Sequence, residues 1–114
     1  SVDDAPVAIL GSALQDSNAF PRGVNVGFME IRGQNAIRLR VFERGVGETL
    51  ACGTGAAAAV AVGRDRGLLG EGVTVSLPGG DLEVIWEGRG EPLWLAGPTT
   101  RVFEGLIEYE PTED

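Results

Sequence analysis

No histidine and no lysine occur in this 114-residue sequence, and cysteine occurs once, at Cys52. Each absence excludes a chemistry. A lone Cys without His cannot form a Cys/His zinc site, a Cys–His nucleophile pair or an intramolecular disulfide framework, so no metal centre is expected. All nine cationic side chains are Arg, against seventeen Asp and Glu, and the net charge is -8. That balance argues against a nucleic-acid surface or an anionic-membrane surface, both of which need excess positive charge. No apolar run approaches the roughly 18 residues of a membrane span. The first residues do not read as a charged-then-apolar leader. A single thiol fits a reduced, cytoplasmic setting.

Glycine is plentiful, at 18 residues, but has no period. That distribution suits turns in an all-β or α+β domain. Residues Ala5 to Gln15 read as a short helix, with Pro6 at its first position behind Asp3 and Asp4. Phe20-Pro21-Arg22-Gly23 reads as a turn and Val24 to Ile31 as a strand. Ala36 to Glu43 is the cleanest strand, with Ile37, Leu39 and Val41 alternating against Arg38 and Arg40. Arg44 to Thr54 is Gly-rich and reads as irregular. The helix that follows the Gly53-Thr54-Gly55 turn is apolar all round and ends near Asp65-Arg66, with Gly67 as its C-cap. With no solvent face it is expected to be buried. Val73, Val75 and Leu77 alternate in one strand and Leu82, Val84 and Trp86 in the next, joined by a Pro78-Gly79-Gly80 turn. Leu93 to Leu95 and Arg101 to Glu110 close the β series. The expected architecture is α+β, an antiparallel or mixed sheet curled around one buried central helix. One domain spans residues 1–110, with an acidic tail at 111–114.

The stretch from Glu43 to Ala56 carries the chemistry. Cys52 lies just before the buried helix, where free N–H groups and the positive end of the dipole favour a thiolate. The amides of Gly53, Thr54 and Gly55 can wrap a carboxylate, and glycine permits close backbone approach. Glu43 and Arg44 add an acid and a fixed cation, and Arg44 can pair bidentately with a substrate carboxylate. No Lys follows the glycines, so the turn is not a P-loop. Each feature alone has a plainer explanation: Cys52 as a small apolar filler, Glu43-Arg44 as a surface pair, Asn25 as a solvent-facing strand residue.

Taken together, the motifs resemble a known family. Phe20-Pro21, Val24-Asn25-Val26-Gly27-Phe28, Ile37-Arg38-Leu39-Arg40-Val41-Phe42-Glu43-Arg44-Gly45, Gly47-Glu48-Thr49 and Ala51-Cys52-Gly53-Thr54-Gly55-Ala56 closely resemble the C-terminal half of diaminopimelate epimerase. Leu77-Pro78-Gly79-Gly80, Leu93-Trp94-Leu95, Gly97-Pro98 and Val102-Phe103-Glu104-Gly105 continue the likeness. The resemblance implies interconversion of LL- and meso-diaminopimelate without pyridoxal phosphate or any other cofactor. It implies two cysteines on opposite sides of the α-carbon, one taking the proton and the other supplying one. Cys52 matches one of this pair, the proton acceptor. Gly53 and Thr54 match the amides that hold the α-carboxylate. Asn25, Glu43 and Arg44 match positions that bind the distal amino acid end or the α-centre.

The family is about twice this long, in two similar domains, with the second Cys in the N-terminal one. The sequence starts at Ser1, not Met, and reads as a C-terminal fragment. The resemblance implies that the strand near 102–109 crosses to the N-terminal domain. It also implies that the full-length enzyme is a homodimer. The expected partners are diaminopimelate and the missing N-terminal domain or a second copy. Alone, the chain is expected to be inactive. Two other functions fit the same residues: a non-catalytic module that holds small carboxylates, and a related racemase of other amino acids.

Overall fold

The computed structural model of the chain describes residues 1–19, 21–22 and 24–97. The strand expected between Arg101 and Glu110 and the tail at 111–114 lie outside the described residues. The elements run as a 3-10 turn at Val2–Asp4, α1 (Val7–Gln15), β1 (Val26–Gly33), β2 (Ala36–Glu43), β3 (Gly47–Thr49), α2 (Gly53–Asp65), β4 (Gly72–Leu77), β5 (Gly80–Trp86) and β6 (Leu93–Ala96). None of the described helices is long and apolar enough to cross a membrane.

The strands form one mixed sheet in the order β1-β2-β4-β5-β6. The β1–β2 and β4–β5 pairs are local antiparallel hairpins, and β2 joins β4 in parallel over Ala36–Arg38 and Thr74–Ser76. β3 is the element that the sequence reading passed over as irregular. It is three residues long and pairs antiparallel with the end of β2, Val41 opposite Thr49 and Glu43 opposite Gly47. A strand this short has no alternation to read. Its turn relies on Gly45 and Gly47, whose φ angles are +77° and +99°, a region that L side chains avoid. With β1 along one edge of β2, β3 and β4 divide the other edge between them. The chain leaving β3 therefore turns out of the sheet and into α2.

The alternation in β2 and β4 sends Ile37, Leu39, Val41, Val73, Val75 and Leu77 to one face, where they pack with Val84 and with Ala56 and Val60 of α2. α2 ends as the sequence predicts. Gly67 is left-handed (φ +73°), its N–H donates to the Arg64 carbonyl, and that of Leu68 donates to Gly63. These are the two bonds of a Schellman cap.

Two expectations change. α2 is buried along Ala56, Val60 and Gly63 only, while Thr54, Ala58 and Val62 are exposed, Val62 at 49%. The sheet covers one side of the helix, and no described residue covers the other. At the other end of the chain, α1 begins at Val7, and Pro6 is its N-cap residue without a side-chain cap. Asp3 and Asp4 stand in the separate 3-10 turn. The cause is tertiary: Arg40 donates to the carbonyls of Val2, Asp3 and Ala5 and pairs bidentately with Glu48 at 2.6 and 2.7 Å. Arg40 thus binds the amino-terminal turn to the sheet face opposite α2. Phe42, on the same face, lies so close to Gly11 of α1 that a Cβ there would run into its ring.

Candidate active site

β2 delivers Glu43 and Arg44 at its end. The Asn25 carboxamide, just ahead of β1, accepts the Arg44 backbone N–H at 2.7 Å. The Arg44 guanidinium donates to the Arg22 carbonyl at 3.0 Å. Val24, Asn25, Glu43 and Arg44 line one depression of about 430 Å³. Three of the expected binding residues are therefore together.

The sulfur arrives by another route. Gly79, at the β4–β5 turn, donates its N–H to the Leu50 carbonyl at 2.8 Å. This bond pins the chain two residues before Cys52. Cys52 is the N-cap of α2, extended at φ -150° and ψ 104°, and is only 6% exposed. Its Sγ accepts the Gly55 N–H at 3.3 Å and lies 3.5 Å from Thr54 Oγ1, while its carbonyl accepts the Ala56 N–H at 2.9 Å. Of the first amides of α2, those of Gly53 and Thr54 have no acceptor within the helix, as helix geometry requires. The anion cradle read from the sequence is thus narrower by one group: the Gly55 amide already serves the sulfur.

Thr54 faces a cleft of about 390 Å³ between β1 and α2, shared with Asn25, Gly27, Met29, Ala58 and Val62. Asn25 lines both hollows and is the residue that joins them. Arg44 lies in the first hollow and not beside the start of α2, so the structure does not bring sulfur, amides and guanidinium into one closed cage. Gly53 lies against β6, where a Cβ would stand 3.0 Å from Leu95 Cδ2. The sequence reading missed Leu95 as a neighbour of the helix start. Leu93 to Leu95 read as a strand, but nothing local placed β6 beside α2. It also missed Gly27 and Met29, whose place opposite Thr54 follows from the β1–β2 register.

The electrostatics of the sheet's other face are separate from this site. Hydrogen bonds from Arg40 hold the Glu48 carboxyl below the ordinary carboxylate range and raise the Arg40 guanidinium. The Val2 amide, above all, holds Glu30 low in the same way.

The profile of one protein family, diaminopimelate epimerase, matches residues 1–102. A curated diaminopimelate epimerase from Alkalilimnicola ehrlichii is 58% identical over 109 residues, covering 96% of this chain and 39% of the relative. The chain therefore spans well under half the length of that protein. The match runs through every element that builds the two hollows and the sulfur site, and on that basis the chain belongs to the diaminopimelate epimerase family.

Proposed function

We propose that this chain supplies one acid–base half of an epimerase that interconverts LL- and meso-diaminopimelate. The observation that carries this reading is the setting of Cys52, a buried sulfur at a helix N-terminus beside the amides of Gly53 and Thr54, which have no acceptor among the described residues. An amino acid α-proton is very weakly acidic, and no side chain here is an electron sink. The developing negative charge must be carried by amides already in place. In this reading the Cys52 thiolate takes the α-proton and becomes a thiol. A second thiol on the opposite face protonates the carbanion and becomes the thiolate. The amides of Gly53 and Thr54 hold the α-carboxylate. Asn25, Glu43 and Arg44 receive the distal amino acid end.

One cysteine cannot invert a centre by itself. The partner is the remainder of a longer chain, or a second copy. The open face of α2 and the outer edges of β1 and β6, unpaired among the described residues, support a covering partner, since such edges invite pairing. A working thiol pair requires a reduced compartment, which supports the cytoplasm.

A graft tests the proposal. This chain replaces the matching 109 residues of the Alkalilimnicola relative, and conversion of LL- to meso-diaminopimelate is measured. The graft is expected to be active. Its Cys52→Ser variant is expected to lose about 10³-fold in kcat, within the usual contribution of one general base, and the isolated chain to show no turnover. An active Cys52→Ser graft defeats the assignment.

A further inference from the structure

Glycine in a helix interior disfavours the helix relative to alanine, and α2 carries one at its third position. Left-handed geometry does not account for it: Gly55 is absent from the positive-φ glycines. Its surroundings do. A Cβ on Gly55 would stand 3.2 Å from Cys52 Sγ, 3.5 Å from Cys52 Cβ and 3.1 Å from Val41 Cγ2. Val41 is 1% exposed, in the core, and β-branched, so its side chain is stiff. Sγ ends a single rotatable bond and is the neighbour that can move. Its present position is held by the Gly55 N–H at 3.3 Å.

We propose that Gly55 is a positioning residue for Cys52. Its amide holds the sulfur at the mouth of α2, and its missing side chain leaves the sulfur the space to stay there. The inference rests on the reading of Cys52 as the proton-transfer group, and it deepens that reading. A methyl group at position 55 meets stiff Val41 on one side and the sulfur on the other, so the sulfur is the group that turns away while the core stays in place. Small displacements of a reacting atom are sufficient: about 1 Å can remove about 10²-fold in rate.

The test is Gly55→Ala, made in this chain and in the graft described above. In the chain, the Hα–Hβ couplings of Cys52 report its χ1 rotamer. They are expected to change, together with an upfield shift of the residue 55 amide proton, while the far-UV circular dichroism stays that of the parent. In the graft, kcat is expected to fall about 10²-fold with KM within about two-fold, the pattern of an interaction needed in the transition state alone. Adding Val41→Ala vacates the other side of the new methyl group and is expected to return the couplings toward those of the parent. Unchanged couplings, or altered couplings with kcat within about two-fold of the parent, overturn the positioning role. A parent graft without epimerase activity overturns the proposed function only, and the coupling comparison still decides the role of Gly55.

Discussion

Asn25 is the residue on which the two hollows meet, and its strongest contact is with backbone. The Arg44 N–H it accepts lies at the corner where β2 turns toward β3. Removing the acceptor leaves that amide to water. Asn25→Ala is expected to destabilise the chain by about 1 kcal/mol, the usual worth of one hydrogen bond, measured by denaturant unfolding. Exchange of the Arg44 amide should accelerate ahead of the β2 interior. Asn25→Asp keeps an acceptor at the same place and should hold the corner. A corner equally protected in the Ala variant would show that the pairing of β3, not Asn25, fixes Arg44. Sequence alone marked Asn25 through resemblance; its hold on a backbone amide 19 positions away could not be read, because no local pattern encodes a contact between one strand's start and another's end.

At the scale of elements, the legible parts were those with a strong period or a strong terminus. β2 has the predicted limits because four alternations fix both its face and its ends, and α2 stops where Gly67 allows a left-handed cap. The illegible parts were decided by distant partners. Arg40 reads as the outer half of an alternation, yet it spends its donors on Glu48 and the Val2–Asp4 turn. That face carries the shifted carboxyls, whereas the buried core among the described residues is aliphatic apart from Cys52. Glu48 and Glu30 are both held low by hydrogen bonds. A carboxyl depressed in the folded state adds stability that is fully present above its ordinary range and is lost as pH falls through its folded value. Acidification is therefore expected to free the Val2–Asp4 turn and α1 before the core. Amide exchange of Val2 and Asp4 against Val41, followed down through the carboxylate range, measures it. Simultaneous loss of protection at all three would mean that the turn and the core unfold as one unit.

For the whole molecule, the main surprise is how much apolar surface stays uncovered. Val62 is 49% and Trp94 66% exposed, on a chain whose composition predicted an enclosed helix. Composition registers that a surface needs covering but not which segment covers it. The isolated chain is expected to self-associate with rising concentration. Val62→Glu should shift it toward monomer in sedimentation measurements and, in the graft, reduce the folded yield. A chain that stays monomeric at every concentration would show that this face tolerates water unaided.

The parallel seam between β2 and β4 bears on how the molecule reaches its fold. The β1–β2 and β4–β5 hairpins close over short turns, whereas the seam at Ala36–Arg38 and Thr74–Ser76 joins residues separated by β3, α2 and their flanking loops. Local closure takes microseconds, and joining distant strands is slower because a long loop must be ordered first. The two hairpins are therefore expected to form early and meet late, and until they meet the contact of Leu50 with Gly79 is not expected to hold. The Cys52 sulfur is therefore expected to reach its place only once the parallel seam has closed, so an ordered sulfur would report a joined sheet.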